Sequence, residues 1–226
     1  MRKIIVLCFL FVLFAVPQVY GAEKVFCPDK NMQSIINQTG FKILNSNAIE
    51  HRMIFNLKDT NEIYGQADLK QKRIYVSTNL FSCADSQDEL AAVITRQIVR
   101  CVLSYEESNL KYSEKTAFEK YEAYVDKRTV DYLVNAGYSP LALITFINKY
   151  SSVPEKGIFP KQSNPSVRMA RIFEYITRKY PQTLEDKKYK NNIYYQNFLL
   201  NSRYNRGLIQ NKMKHNPYSL EKLEYR

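Results

Sequence analysis

Short apolar stretches in the first third of the chain predict β-strands. Residues 51–57, 61–69 and 73–78 are rich in β-branched and aromatic side chains, which favour extended structure. The polar residues 70–72 separate the second stretch from the third and predict a hairpin connection. We therefore expect these three segments to form a small antiparallel sheet.

Apolar residues recur at helical spacing through most of the remaining chain. The clearest helix runs from residue 87 to about 105, because Ser86 and Glu89 form a capping-box pattern in front of its apolar face. An earlier helix is expected to end at Gly40, and residues 193–200 are expected to form a short late one. Besides 87–105, longer helices are expected at 28–39, 114–135, 139–149 and 164–180, and the first of these is the one that ends at Gly40. The pattern predicts an α+β fold that is mostly helical.

The first 22 residues have the pattern of a signal peptide. Arg2 and Lys3 precede an apolar run over residues 4–16, which is shorter than the roughly 20 residues of a membrane span. Cleavage is expected near residues 19–22, and an uncleaved anchor is the alternative. We therefore expect export to the periplasm or the cell exterior. The expected organisation is a signal peptide (1–22), one domain (23–181) and a basic, tyrosine-rich extension (182–226).

The net charge of +11 at pH 7 favours anionic partners such as lipid head groups, wall polymers or acidic proteins. Nucleic acid is a poor match for an exported chain. Cys27, Cys83 and Cys101 follow the signal peptide. A helix between the last two would separate them by roughly 20 Å, which is beyond disulfide reach. A bridge would therefore include Cys27, and three reduced cysteines are the alternative.

The helix at 87–105 contains an altered metal-binding motif. Residues 90–101 read LAAVITRQIVRC, a frame similar to ELAAVxxHExxH, in which two histidines bind zinc and the glutamate is a general base. The altered positions form the run Arg96-Gln97-Ile98-Val99-Arg100, with arginines in place of both histidines and Gln97 in place of the glutamate. Guanidinium groups do not ligate a cation and an amide does not accept a proton from water. We therefore expect neither bound zinc nor a catalytic residue here.

Four blocks in order resemble peptidase family M forty-eight, zinc metallopeptidases that include CAAX prenyl proteases and periplasmic quality-control proteases. The blocks are RIYVSTNLF, DELAAVITRQIVR, EAYVD followed by AGYSP, and SNPSVRMARI, within about residues 61–176. The resemblance implies a zincin-like metallopeptidase domain with a small antiparallel sheet and a central pair of active-site-type helices. It also implies a degenerate member of the family, since the HExxH motif is absent.

The resemblance assigns roles to three further residues. Glu122 keeps the position of the third zinc ligand, and Asp126 matches an acidic residue that orients a ligand histidine. Asn164 stands in place of a histidine in the fourth block, although a plain helix cap before Pro165 is the favoured interpretation. The two histidines of the chain, His51 and His215, lie in no ligand motif.

Spacing suggests what replaces the metal. Arg96 and Arg100 are four residues apart on one helix, as are Glu122 and Asp126 on the next, so each pair shares a helix face. Arginine pairs well with carboxylates and stays charged when buried. We therefore expect an ion cluster in the metal's position, and solvated helix faces are the alternative.

The resemblance also implies a peptide-binding strand, because such peptidases hold an extended substrate against the edge of their sheet. That edge is expected at Ile74, Tyr75, Val76 and Ser77. The chain is thus interpreted as an exported pseudopeptidase that binds an extended peptide or unfolded protein without cleaving it. Two alternatives stay open: an active zinc-dependent endopeptidase with an atypical site, and a cationic protein whose extension binds an anionic envelope surface. The oligomeric state does not follow from the sequence.

Overall fold

A computed structural model describes residues 30–106, 115–150 and 164–215. The predicted signal peptide, Cys27, the predicted loop at 151–163 and the last part of the extension lie outside these ranges. The described residues confirm a mostly helical α+β fold with one small sheet. Within those ranges, no helix combines the length and the apolar character that crossing a bilayer requires.

Three strands form a mixed sheet in the order β1-β3-β2: β1 (Ile54–Lys58), β2 (Gly65–Asp68) and β3 (Arg73–Ser77). Strands β2 and β3 form the predicted antiparallel hairpin. At its turn, Asp68 Oδ1 accepts hydrogen bonds from the backbone N–H groups of Lys70 and Gln71, at 3.0 and 2.9 Å. Strand β1, however, runs parallel to β3, so the prediction of a wholly antiparallel sheet is wrong. A parallel pair needs a crossover connection, and the segment that contains β2 supplies it.

Strand β3 lies in the middle of the sheet. The prediction that Ile74, Tyr75, Val76 and Ser77 form an exposed edge is therefore wrong. Their backbone is paired with β1 on one side and with β2 on the other. The β-branched and aromatic composition that marked this stretch as a strand reflects burial, since three of the four side chains are buried. The edges of the sheet are β1 and β2.

Helix α1 (Lys30–Ser46) covers the edge formed by β1 and does not end at Gly40 as predicted. A Cβ atom on Gly40 would lie 2.4 Å from the Phe55 ring, so this glycine lets the helix approach the strand closely. Gln33 of the same helix bonds to the strand: its Nε2 donates to the Phe55 carbonyl at 2.9 Å and its Oε1 accepts from the Leu57 N–H at 3.0 Å. The side chain of Gln33 thus satisfies backbone groups of β1.

Helix α2 (Thr78–Cys83) is short and was not predicted, whereas the four longer helices that follow agree with the predicted positions within a few residues. These are α3 (Gln87–Glu106), α4 (Lys115–Asn135), α5 (Leu141–Tyr150) and α6 (Pro165–Lys179). Ser86 caps α3 as predicted, since its Oγ accepts from the Glu89 N–H at 3.3 Å. The α4 helix ends at Gly137, whose φ of 71° is left-handed, as predicted for this stop. Helix α3 is buried along almost its whole length and packs on α1, α4, α5 and β2.

The first part of the predicted extension completes the core. A 3₁₀ turn at Pro181–Glu185 leads to α7 (Lys187–Lys190), α8 (Ile193–Asn201) and α9 (Arg203–His215). The predicted short helix at 193–200 is confirmed as α8. Its side chains Tyr195 and Phe198 are buried with Tyr189 in the main hydrophobic cluster, where α8 packs on α5 and α6.

Candidate functional site

The site is built where α3 and α4 pack together in the core. Arg96 on α3 and Glu122 and Asp126 on α4 are only 1%, 3% and 3% exposed. Arg96 Nη2 donates to Glu122 Oε2 in a short contact, and Arg96 Nε lies 3.7 Å from Asp126 Oδ1. The expected pairing of an α3 arginine with the α4 carboxylates is thus observed at Arg96.

The second cation of the cluster is Arg168 on α6, which was not predicted as a site residue. Its Nε and Nη2 donate to Oδ2 and Oδ1 of Asp126 at 2.7 and 2.6 Å, a bidentate pair. Arg168 is buried, so the pair is shielded from solvent. The sequence did carry a signal, because Arg168 is the first arginine of the SNPSVRMARI block. Helical spacing within α3 points to Arg100 as the second cation, so the pattern does not single out Arg168.

Arg100 does not join this cluster. Among the described side chains, neither Glu122 nor Asp126 lies within ion-pair distance of its guanidinium group, so the expected pairing is wrong for Arg100. It lies beside the phenol of Tyr121 instead. Burial raises the pKa of Tyr121, and the charge and hydrogen bond of Arg100 counteract that effect. The i, i+4 spacing predicts that both arginines face α4. Because Arg100 lies one helical turn beyond Arg96, it meets Tyr121 instead of the carboxylates.

Burial and charge act in opposite directions on the two buried arginines. Burial lowers the pKa of Arg96 to about 10, against the opposing effect of Glu122. Burial also lowers the pKa of Arg168, but the charge and hydrogen bonds of Asp126 outweigh it and raise that pKa above its usual value. Both guanidinium groups are therefore charged at neutral pH. Two cations face two carboxylates, and the cluster is neutral as a whole.

Gln97 follows Arg96 in the sequence of α3 and is fully buried. Both polar atoms of its amide lack a hydrogen-bond partner in the described part of the chain, as do Nη1 of Arg96 and Oε1 of Glu122. The side chain lies under β2, since a Cβ atom on Gly65 would be 4.0 Å from Gln97 Nε2. The position that the sequence resemblance assigns to a general base thus holds a buried neutral amide, which cannot accept a proton from water.

The donor set does not fit a zinc ion. Arg96 and Arg100 stand at the positions that would supply two imidazole ligands, and Arg96 already forms an ion pair with the carboxylate of Glu122. His51 stacks on Tyr105 with ring centroids 4.0 Å apart, and His215 is exposed at the end of α9. Residues 30–106, 115–150 and 164–215 contain no group of three His, Cys, Asp or Glu side chains arranged as metal ligands.

Two other predicted groups have local roles. Asn164 caps α6: its Oδ1 accepts from the Ser166 and Val167 N–H groups at 3.0 and 3.4 Å, which confirms the helix-cap interpretation. Cys83 and Cys101 are both free thiols, as the predicted distance between them requires. Burial raises the pKa of Cys101 to about 11, so its thiolate is scarce at neutral pH.

The outer edge of β2 is the part of the site that can meet an extended chain. The Ser77 N–H donates to the Tyr64 carbonyl at 2.9 Å, so these two residues form a hydrogen-bonded pair at the start of the hairpin. Hydrogen-bonded and non-hydrogen-bonded pairs alternate along an antiparallel ladder. The N–H and C=O groups of Gly65 and Ala67 therefore point away from β3. Among the described strands none pairs with this side of β2, where Gly65 is buried and Ala67 is half-buried, and a strand edge without a partner can accept another strand.

A cleft of about 480 Å³ adjoins this edge. Its lining includes two lysines, one carboxylate and two aromatic side chains: Lys58, Lys70, Asp68, Tyr64 and Tyr75. The ammonium group of Lys58 lies over the Tyr64 ring, 5.6 Å from its centroid. Because Lys58 belongs to β1 and Tyr75 to β3, the cleft lies over the face of the sheet next to β2, and it offers aromatic surface with a small excess of positive charge.

The structure brings Arg96, Glu122 and Asp126 together. Gln97 lies under β2 instead, Arg100 is beside Tyr121, and Asn164 caps a helix at the surface. No family model and no curated protein matches the chain.

Proposed function

We propose that this chain is an exported, noncatalytic peptide-binding protein. In this proposal it is a degenerate zincin-like domain of the peptidase family M forty-eight type, and it holds an extended peptide or a segment of unfolded protein as an added strand along β2. The observation that carries the proposal is the position of the open β2 edge directly over the part of α3 where arginines and a glutamine stand in place of the zinc-binding motif.

The contacts of the ion cluster support the noncatalytic part of the proposal. Arg96 and Arg168 supply two positive charges at the two carboxylates that a zinc ion and its oriented histidine would otherwise use. Gln97 is sealed in the core and has no exposed polar atom. A hydrolytic water would therefore find neither a metal ion nor a base at this position.

The two edges of the sheet differ in a way that supports peptide binding at β2. On the β1 side, Gln33 hydrogen-bonds the backbone of Phe55 and Leu57 and so competes with an incoming strand. On the β2 side, the outward groups of Gly65 and Ala67 are backbone groups, which accept any extended sequence. Two lysines and one carboxylate, Lys58, Lys70 and Asp68, line the neighbouring cleft, and this excess of one positive charge leads us to expect that acidic peptides bind best.

Fluorescein-labelled, reduced and carboxymethylated α-lactalbumin, an unfolded acidic protein, is a suitable probe for residues 23–226. Fluorescence anisotropy should show saturable binding without cleavage. Ala67→Pro removes one outward N–H group and blocks pairing of a further strand, while the ladder with β3 stays intact. We expect it to weaken binding about tenfold or more, equivalent to about 1.4 kcal/mol.

Ala67→Val is the matched control, because it changes the side chain and keeps the N–H group. Its affinity should stay within about threefold of the wild type, less than about 0.7 kcal/mol. Circular dichroism spectra and unfolding midpoints would establish that both variants are folded. Absence of wild-type binding would refute the proposal, and so would equal binding by folded Ala67→Pro.

A second experiment tests the family frame and the loss of catalysis. The triple variant Arg96→His, Gln97→Glu, Arg100→His restores the motif beside Glu122, and we expect it to bind zinc in elemental analysis. The wild type should contain no stoichiometric zinc and should not cleave casein. Chelator-sensitive cleavage by the wild type would support the active-endopeptidase alternative. A triple variant that folds and stays free of zinc would contradict the assignment of Glu122 as the third zinc ligand.

A further inference from the structure

A row of exposed apolar side chains crosses the junction of α8 and α9. Leu200, Tyr204 and Leu208 are 74%, 75% and 44% exposed and are spaced four residues apart. The Ser202 N–H donates to the Phe198 carbonyl at 2.9 Å, and the Arg206 N–H donates to the Ser202 carbonyl at 2.9 Å. Helical hydrogen bonding thus continues through the junction, so the three side chains form one ridge on the same face.

The opposite face of the same helices is already in use. Phe198 and Ser202 are buried against the domain. Asn205 Nδ2 donates to Ser166 Oγ at 2.8 Å, and Gln210 Nε2 donates to the buried carboxylate of Glu174 at 2.8 Å. These contacts anchor α9 on α6 and fix which side of the helices faces outward. The ridge therefore stays on the surface of the folded domain, because the opposite face of these helices already packs on the core.

The ridge lies in an unusually basic part of the chain. Residues 187–215 contain seven lysines and arginines and neither aspartate nor glutamate. Lys188 and Lys190 pair with Asp88 and Glu185, at 2.8 and 2.5 Å. By contrast, no described carboxylate pairs with the exposed basic residues nearest the ridge, which are Arg203, Lys212 and Lys214.

We infer that this face docks on an anionic lipid bilayer. Leu200, Tyr204 and Leu208 enter the boundary between head groups and acyl chains, while the basic side chains beside them meet lipid phosphates. This division of apolar and basic positions is typical of helices that lie in a membrane interface, where tyrosine is also favoured. A single convex row fits a bilayer, which deforms around it, better than it fits a rigid protein surface. The docking surface is separate from β2 and does not depend on peptide binding.

Vesicle flotation with residues 23–226 tests this inference, since that segment retains every described residue and lacks the apolar run at 4–16. Vesicles would contain phosphatidylcholine alone, or phosphatidylcholine with 30% phosphatidylglycerol. We expect binding to the anionic vesicles only, with loss of binding at high salt. A triple variant that removes the basic side chains beside the ridge should lower the partition coefficient on the order of tenfold or more. Its substitutions are Arg203→Gln, Lys212→Gln and Lys214→Gln. Leu200→Ser with Leu208→Ser should lower it about as much, because both apolar anchors are lost.

Arg52→Gln, Lys70→Gln, Lys120→Gln is the matched charge control, since these exposed residues lie outside α8 and α9. It removes the same charge and should retain most of the binding. An equal loss in this control would overturn the inference, because net charge alone would then explain it. Equal binding to neutral vesicles would also overturn it. Self-association without vesicle binding, abolished by Leu200→Ser with Leu208→Ser, would assign the ridge to a second copy of the chain instead.

Discussion

The guanidinium group of Arg96 lies between two carboxylates of α4 in a part of the core that water does not reach. Removing charges from water is costly, so the net contribution of such a cluster to stability is far smaller than its Coulomb energy. The cost becomes visible when one partner is lost, because the remaining charge stays buried without compensation. Glu122 depends on Arg96 in this way, whereas Asp126 keeps its bidentate partner Arg168.

Arg96→Met should therefore lower the free energy of unfolding by about 3–5 kcal/mol. Arg96→Met combined with Glu122→Leu should recover most of that loss, because an apolar pair replaces the ion pair. Urea denaturation followed by circular dichroism measures both effects. Arg100→Met is the comparison variant: it loses a hydrogen bond to Tyr121 and should cost only about 0.5–1.5 kcal/mol. Equal losses for Arg96→Met and Arg100→Met would contradict the assignment of partners.

The sequence was sufficient to find three of the four members of this cluster. Helical spacing places Arg96 toward α4 and Glu122 and Asp126 toward α3, and that placement is confirmed by their contacts. Arg168 could not be placed because residues 151–163 separate its helix from α5, and no local pattern fixes how that helix packs. Spacing also could not decide which of two arginines on one face would reach a carboxylate.

At the level of helices and strands, Gly40 shows how a correct observation led to a wrong boundary. A glycine after an amphipathic stretch commonly marks a helix end, because it adopts left-handed conformations easily. Here the helix continues, and the glycine is required by the ring of Phe55 on β1. The contact joins residues far apart in sequence. Propensity alone therefore could not distinguish a helix stop from a close approach.

Gly40→Ala tests this explanation, because the two effects have opposite signs. Alanine raises helix propensity by about 1 kcal/mol, but a Cβ atom 2.4 Å from the Phe55 ring forces repacking that costs about 1–3 kcal/mol. We expect a lower thermal midpoint. Gly207→Ala in α9 has no atom within 4 Å of the new Cβ and should raise the midpoint. A higher midpoint for Gly40→Ala would mean that Gly40 is not needed for this contact.

Strand order was the other feature that the sequence could not provide. Alternation and turn residues identify the β2–β3 hairpin because its contacts are local. The pairing of β1 with β3 depends on α1 and the core. Because of this pairing β3 is the central strand, and the open edge is β2 instead of the predicted β3. The peptide-binding residues proposed from the family resemblance thus shift from Ile74–Ser77 to the neighbouring strand, while the principle of strand addition is unchanged.

Across the whole molecule, buried ionisable groups link distant helices. Glu89 at the start of α3 accepts from Thr145 Oγ1 at 2.7 Å and from Lys149 Nζ at 2.8 Å, which ties α3 to α5. Buried phenols are the most numerous of these groups. Burial raises the pKa of Tyr189 and, together with Asp131, raises the pKa of Tyr180 to about 12. The folded chain therefore holds protons that the unfolded chain releases.

This difference predicts a loss of stability in alkali. A group whose pKa is raised on folding stabilises the protein below its unfolded pKa, and the contribution disappears as pH rises toward the folded pKa. Unfolded thiols and phenols titrate near pH 8.5 and 10, so the free energy of unfolding should fall from about pH 9 upward. The slope is up to about 1.4 kcal/mol per pH unit for each such group.

Urea denaturation between pH 8 and 11, with phenolate absorbance at 295 nm, measures this loss. Tyr189→Phe should make the pH dependence shallower by one group, because the buried phenol is removed. Tyr204→Phe is the control, since this variant removes a phenol from a side chain that is 75% exposed in the folded protein. Identical slopes for Tyr189→Phe and the wild type would show that this phenol does not couple protonation to folding.

The strand order also sets a sequence of events during synthesis. Strand β1 leaves the ribosome first, but its partner β3 follows only after the residues of β2 have emerged. Until then the apolar residues Phe55 and Leu57 have no sheet to join, although the hairpin can close from local contacts as soon as Ser77 is available. The first strand therefore stays unpaired until the hairpin has formed, so β1 is the last of the three strands to join the sheet.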